Sequence, residues 1–317
     1  MSLEKISHLD TELWRVIPGS PLCTHVLDFL HTAWGTNNRA MFPGPQPISI
    51  ERRHFPILAQ QSYVVCEKTD GSRHVCVCTM FEDKKICVLL NRNQDMILMP
   101  LNILRNMFAG TVLDGELVKG DTGWLYMVYD CVATAGTSCR NAPLTDRIAA
   151  ADAFVKGIMK LKKDPVTFRV KKMWPLKEFS DFEKETFPYG TDGIVLTPVN
   201  EPVRSGTHET MFKWKPRDSN TIDFLVRPRK PGVWGMYVQE KGQLVFESEL
   251  SDAQLLPGTV DGSIVEAQYV HWESPRWWRP VGIRTDKTHP NNRRTFYRTL
   301  TNISENIGLH EFKKMAR

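Results

Sequence analysis

The sequence predicts an α+β body followed by a smaller all-β region and a closing helix. Short runs rich in Val, Ile, Tyr and Cys recur over the first two thirds of the chain with one long helical pattern among them, whereas after Pro216 the runs are broken by Gly and Pro. Strands and helices do not alternate regularly, so a doubly wound parallel sheet is not expected.

Size and charge agree with that picture. The 317 residues correspond to about two domains, and 41 Lys+Arg against 36 Asp+Glu give a formal charge of +5. That balance is mildly basic. With 41% hydrophobic and 24% charged residues the chain is too apolar for disorder as its main state. No run approaches the ~18 apolar residues of a membrane helix, and the opening MSLEKISHLDTELWR lacks the apolar centre of a signal peptide. Seven scattered cysteines, an odd number, do not form a secreted disulfide framework, which predicts an intracellular, reducing location and no membrane partner.

Element by element, strands are expected at 63–66, 74–81, 85–90, 111–118, 124–130, 193–197 and 211–215. Residues 143–163 read as an amphipathic helix, because Ile148, Ala151, Phe154, Val155, Ile158 and Leu161 recur at helical spacing and Lys160, Lys162 and Lys163 sit where a C-terminal dipole favours cations. From 221 to about 297, segments such as IDFLVRP, GVWGMYVQ, QLVFES and GSIVEAQYV predict a small barrel or sandwich. Phe296, Leu300, Ile303, Ile307 and Phe312 then predict a closing helix over 295–317. Cys76 and Cys78 alternate onto one strand face with no CxxC or His pair nearby, and read as small apolar core residues.

The chemistry is concentrated in three Asp-Gly pairs: Lys68-Thr69-Asp70-Gly71-Ser72-Arg73, Asp114-Gly115-Glu116 and Asp192-Gly193. Alone, each reads as a hairpin turn. Together with strand-end carboxylates at Glu116 and Asp192, and with Lys213-Trp214-Lys215-Pro216 presenting two lysines on one side of a strand, they form a cationic and metal-binding inventory suited to a polyphosphate. That inventory fits a lysine nucleophile attacking phosphorus. A free lysine with a pKa near ~10.4 is protonated at neutral pH, so it needs neighbouring cations, a metal or desolvation to become reactive.

KxDGxR, DGE, YMVYD, TDGIV, FKWKP and RTDK follow one another in the order of motifs I, III, IIIa, IV, V and VI of the covalent nucleotidyltransferase superfamily, which the chain resembles from Lys68 to Asn291. Within it, Glu67-Lys68-Thr69-Asp70-Gly71, Phe212-Lys213-Trp214-Lys215-Pro216 and Arg284-x-Asp286-Lys287-x-x-x-Asn291 resemble mRNA capping guanylyltransferases, in particular the compact single-activity enzymes of large DNA viruses. Ser72 departs mildly, since an aliphatic residue commonly follows Asp-Gly there.

The resemblance implies a nucleotidyltransferase (DNA-ligase-like, ATP-grasp-like) domain of antiparallel sheets and helices over 1–220, an OB-fold β-barrel over 221–296, and a helix at 297–317 packing back on the first domain. It implies that Lys68 forms a lysyl-GMP phosphoamide from GTP and passes GMP to a 5′-diphosphate RNA end. Arg73 and Glu116 would contact the ribose, Glu116 and Asp192 a Mg²⁺ or Mn²⁺ ion, and an aromatic ring the base. Tyr126 and Tyr129 are the candidates for that ring, with Tyr129 taken as the site residue. Lys171 would read guanine O6, Lys213 and Lys215 would hold the α-phosphate, Asp223 would act near the phosphates, and Arg284, Asp286 and Lys287 would reach the β and γ phosphates. A hinge at 217–219 would let the two domains close.

Arg276, Arg279, Arg293 and Arg294, interleaved with Trp272, Trp277 and Trp278, suit a single-stranded RNA end. The chain carries no cysteine-phosphatase signature and no methyltransferase segment, so RNA triphosphatase and cap methyltransferase are expected as separate proteins, in a nucleus or a viral replication compartment. An ATP-dependent polynucleotide ligase and a non-catalytic RNA-binding capping scaffold are the competing readings.

Overall fold

A computed structural model describes residues 2–39, 41–270, 278–285 and 287–315. The chain divides into two compact units: the first comprises residues 1–48, 56–213 and 312–317, the second 49–55 and 214–311.

The first unit holds two sheets. The larger has nine strands, ordered Leu3–His8, Thr11–Val16, Met96–Leu98, Lys84–Asn91, Ser72–Phe81, Thr111–Gly120, Gly123–Thr134 and Thr137–Ser138, with Val166–Val170 added to Gly123–Thr134. Every neighbour is antiparallel except this last, which runs parallel and makes the sheet mixed. Both faces of its centre are covered, which explains the nearly unbroken apolar run His74-Val-Cys-Val-Cys. Alternation sorts that run. Val75 and Val77 pack with Leu22, Val26 and Leu30 of the helix Pro21–Trp34, while Cys76 and Cys78 face the opposite core with Ala151 and Phe154 of the helix Leu144–Lys156.

The smaller sheet carries the strands of the candidate nucleophile. Its order is Trp174–Pro175, Tyr63–Thr69, Thr191–Pro198, Gly206–Trp214 and Pro45–Ser49. The second unit is one antiparallel, OB-fold-like sheet, ordered Gln243–Ser251, Val233–Glu240, Thr221–Lys230, Ile264–Tyr269 and Trp278–Ile283. Among the described residues its two edge strands do not pair, so the barrel is partly open. Segment 49–55 joins this unit because Arg52 bonds both carboxylate oxygens of Glu311, at 3.1 and 2.9 Å, and the Glu305 carbonyl at 2.6 Å.

Four expectations change. The helix expected over 143–163 stops at Lys156, where the Gly157 N–H caps onto the Ala153 and Phe154 carbonyls, so Lys160, Lys162 and Lys163 lie beyond it and cannot serve its dipole. The single closing helix is two, Arg293–Glu305 and Leu309–Met315, separated by Asn306 in the left-handed region at φ 45°. Phe296 of the first belongs to the second unit's core, while Phe312 stacks 6.0 Å from Phe179 in the first unit. Trp278 is a core residue, 2% exposed and edge-on to Phe224 at 5.0 Å, and therefore presents no ring to RNA; Trp272 and Trp277 lie outside the described residues. Lastly, Asp114-Gly115 and Asp192-Gly193 are not hairpin turns, and Glu116 is not at a strand end, because both pairs lie inside strands.

Candidate active site

Lys68 is positioned by a defect in strand pairing. Thr191 pairs with Thr69 and Ile194 with Glu67, so Asp192 and Gly193 together oppose Lys68 alone, forming a β-bulge. Gly193 adopts φ 148°, a backbone that side chains disfavour, and the bulge turns the Asp192 carboxylate onto the lysine. Lys68 Nζ donates to Asp192 Oδ1 at 2.7 Å, with both side chains about a quarter exposed or less.

A second bulge shapes the neighbouring sheet. Asp114 pairs with Asp130 and Gly115 with Val128, which leaves Tyr129 as the extra residue. Gly115 is required there: a Cβ would lie 2.7 Å from the Tyr126 ring and 2.8 Å from the Met127 carbonyl. Tyr129 is thereby aimed at Asp114 and donates to its Oδ1 at 2.8 Å. Arg73 grips the same carboxylate with both arms, Nε to Oδ1 at 3.0 Å and a terminal nitrogen to Oδ2 at 2.5 Å, and donates to the Pro45 carbonyl at 2.6 Å. Its guanidinium also lies over the rings of Phe42 and Tyr129, at 5.0 and 5.8 Å. Burial disfavours this charge, but the Asp114 carboxylate, with Tyr129 and Glu116, more than offsets that and holds the guanidinium above its ordinary value.

The third cation, Lys171, is buried. It donates to the Glu67 carbonyl at 2.9 Å, sits 3.3 Å from Glu67 Oε1, and lies 5.8 Å from the Tyr129 ring centre. Tyr189 donates to the same Glu67 carboxylate at 3.0 Å, so Glu67 anchors Lys171 beneath the Lys68 strand. An ammonium has three donors, and the Glu67 carbonyl takes one of them by a hydrogen bond.

Glu116 completes the group. Desolvation raises its pKa, while the charges of Lys171, Lys68 and Arg73 oppose that rise. Among the described residues its carboxylate accepts no hydrogen bond from a side chain. A desolvated carboxylate that no side chain hydrogen-bonds among the described residues is a hard oxygen donor, and this fits a Mg²⁺ or Mn²⁺ ion.

Several expected residues stand elsewhere. Tyr126 is fully buried, with its hydroxyl 2.9 Å from the His74 carbonyl and accepting from the Cys76 N–H at 3.1 Å, so of the two candidate rings only Tyr129 reaches the site. Asp130 of the same motif is structural, held by Arg147 at 2.7 and 3.1 Å. Lys213 is the penultimate residue of its strand, whereas Lys215 lies past the strand end, so the expected shared strand face does not extend to it.

The second unit has its own charged cluster. Asp223 takes Arg284 at 3.3 Å and pairs with Lys287, and its main chain is clamped by Asn291 through bonds of 3.0 and 2.8 Å. Residues more than sixty positions apart in sequence are thus brought together. Asp286 and Arg276 lie outside the described residues. Arg293 is gripped by Glu247 and Glu240 at 3.0 and 3.1 Å, which already answers its charge, while Arg279 is exposed and bonds Gln268 at 2.7 Å.

Sequence reasoning passed over Asp114, Glu67, Tyr189 and Arg92. Asp114 did leave a signal, a carboxylate inside the apolar run Thr111-Val-Leu-Asp-Gly. Arg92, on the turn after Lys84–Asn91, left none. Partial desolvation and the charge of Arg73 hold its guanidinium below its ordinary value, and Glu116 and Asp114 act on it in the opposite sense. No side-chain hydrogen bond or ion pair engages it among the described residues.

A strand-borne lysine paired with a bulge-borne aspartate, with Arg73, Lys171 and the carboxylate of Glu116 in the same charged group, has the chemistry to handle a phosphate. The family model described as mRNA capping enzyme, catalytic domain, matches residues 23–217, and the one described as mRNA capping enzyme, C-terminal domain, matches residues 229–312. The chain belongs to the mRNA capping enzyme family. The mRNA-capping enzyme subunit alpha of Schizosaccharomyces pombe is 27% identical over 324 residues, covering 86% of this chain and 79% of its own. That of Yarrowia lipolytica is 26% identical, covering 84% and 80%. The mRNA-capping enzyme of Danio rerio is 25% identical over 80% of this chain and 46% of its own length. Among solved structures, mycobacterial DNA ligase D complexed with ATP and MES overlays with a TM-score of 0.44 at 14% identity, over 78% of this chain and 95% of that one. At that likeness the overlay carries no argument.

Proposed function

We propose that the chain is an mRNA guanylyltransferase that transfers GMP from GTP, through a lysyl-GMP intermediate on Lys68, to the 5′-diphosphate end of RNA. The observation that carries this reading is the 2.7 Å contact between Lys68 Nζ and Asp192 Oδ1, with Lys68, Arg73 and Lys171 all acting on the carboxylate of Glu116.

Lys68 must lose a proton before it attacks, and Asp192 Oδ1 is the acceptor in place to hold that proton. In the first step Nζ forms a bond to the α-phosphorus, the bond from that phosphorus to the bridging oxygen breaks, and pyrophosphate leaves. In the second, a terminal oxygen of the RNA diphosphate attacks the same phosphorus and Lys68 is released. Arg73 and Arg92 would face the ribose, the ring of Tyr129 the base, and a further donor of Lys171 the guanine edge. Guanine O6 accepts where adenine offers an amino group, so one fixed donor discriminates between them. Glu116 and Asp192 would hold Mg²⁺ or Mn²⁺, which when bound offsets phosphate charge.

Lys213 and Lys215 would serve the α-phosphate, and Asp223, Arg284, Asp286 and Lys287 the β and γ phosphates. Domain limits of 1–220 for GTP binding and 221–296 for the OB-fold belong to the same proposal. So do RNA contact by Arg279 and Arg294, a separate triphosphatase and methyltransferase, and a site of action in the nucleus or a viral compartment. None of the helices is long and apolar enough to cross a membrane among the described residues.

The test is labelling with α-labelled GTP and, separately, α-labelled ATP in the presence of Mg²⁺. A denaturation-stable protein adduct is expected with GTP, and a Lys68→Ala chain should form none. An adduct with ATP alone would make the chain a ligase-type adenylyltransferase.

A further inference from the structure

The opposite core of the large sheet holds a feature the transfer reaction does not use. Cys76 and Cys78, two residues apart on Ser72–Phe81, point to one face, and Cys78 pairs in register with Cys87 on Lys84–Asn91. The three sulfurs all lie within 4.8 Å of one another, with Cys76 Sγ 3.7 Å from Cys87 Sγ. All three residues are buried, at 0, 0 and 3% exposure, in the same apolar core as Leu89, Leu113 and Tyr126. No histidine or carboxylate joins the group among the described residues.

Ligand type and charge together select the guest. Thiolate sulfur disfavours the hard cations Mg²⁺ and Ca²⁺. Zinc in a structural site takes four ligands, and only three are present. Three thiolates around a divalent ion also leave one net negative charge, and around Cu(I) two, in an apolar interior where an uncompensated charge is costly. Three thiolates around a trivalent centre leave none.

We propose that Cys76, Cys78 and Cys87 form a three-thiolate site for a trivalent, thiophilic centre, with arsenic(III) as the representative guest. The step balances without an oxidant. Arsenous acid exchanges three As–O bonds for three As–S bonds, each thiol proton leaves with one hydroxide as water, and arsenic remains in the +3 state. Both strands are interior to the sheet, so the guest enters only when that region opens, and uptake is slow. Once bound, it ties Ser72–Phe81 to Lys84–Asn91.

The chain offers one other thiol pair, buried Cys131 beside half-exposed Cys139, so the test separates the two. The full-length native protein and its Cys139→Ser variant are incubated with sodium arsenite and examined by native mass spectrometry and arsenic X-ray absorption. Both should retain one arsenic at this site, with a mass gain of one arsenic less three hydrogens for each centre held by three sulfurs. In the Cys139→Ser variant the absorption spectrum should show three sulfur neighbours and no oxygen, and the melting temperature should rise with arsenite concentration. Adding Cys78→Ser should leave two sulfurs and one oxygen. Should that variant fail to fold, the spectrum of Cys139→Ser alone still decides. Arsenic held by two sulfurs in Cys139→Ser, no uptake without denaturant, or retention of zinc in preference to arsenic would each overturn the proposal.

Discussion

Lys68 and Asp192 are 124 residues apart in sequence, yet their charged ends meet at 2.7 Å because a bulge sets Asp192 and Gly193 opposite one residue. Asp192→Asn keeps the shape and removes the acceptor charge. Single-turnover adduct formation should slow by about 10² or more, the range for losing a positioned proton acceptor. The pair is partly solvated, so urea unfolding should register no more than about 1 kcal/mol. An unchanged adduct rate would remove Asp192 from the chemistry.

Glu116 yields a pH-dependent prediction. Burial raises its folded pKa, so the stability its protonated form contributes is fully present below the unfolded value of about 4.5 and is lost as pH rises through the folded value. The neutral isostere Glu116→Gln should therefore melt higher than the parent at pH 7, with the advantage shrinking as pH falls toward 4, while adduct formation drops. Thermal melts across that range check the sign; a variant less stable at neutral pH contradicts it.

Arg73 and Asp114 form a buried, two-armed pair, with Asp114 fully shielded from water. Removing the arginine strands a charge, and Arg73→Ala should lose about 3–5 kcal/mol of unfolding free energy. Arg73→Lys should recover little, because an ammonium cannot span both carboxylate oxygens. Denaturant titration of the two variants measures both losses.

Lys171 keeps donor capacity beyond its bond to the Glu67 carbonyl, and that capacity sets base preference in the reading above. Lys171→Met should narrow the ratio of GTP to ATP adduct by about tenfold or more, the weight of one charged hydrogen bond. Equal loss with both nucleotides would assign Lys171 to folding alone.

Arg92 should behave in the opposite way to Arg73. With no partner among the described residues to desert, Arg92→Ala should leave the melting temperature within about a degree, since surface changes cost ~0.5 kcal/mol or less. It should weaken GTP binding by about tenfold in a direct titration.

Much of this architecture was legible because local chemistry and global fold agree. Lys68, Arg73, Glu116 and Asp192 are announced by Asp-Gly pairs, of which Asp70-Gly71 does join two strands, whereas Asp114-Gly115 and Asp192-Gly193 lie at bulges, and only the partner strand distinguishes a bulge from a turn. The helix Pro21–Trp34 is not among the expected elements, although Ser20 caps it, Pro21 opens it and Gly35 closes it at φ 64°. Glu67 and Arg92 were hidden for a different reason. Their meaning comes from Lys171 at 104 positions and from Arg73 across the sheet, and no local pattern encodes such pairings.

The claim on which the rest depends is that Lys68 carries GMP. The direct measurement is tandem mass spectrometry of the protein after incubation with GTP and Mg²⁺, with pyrophosphatase present to hold the adduct. GMP should be found on the peptide containing Glu67-Lys68-Thr69-Asp70-Gly71, with the fragment series placing it on Lys68 Nζ. GMP on any other residue, or an unmodified Lys68 in protein that has released pyrophosphate, would contradict it.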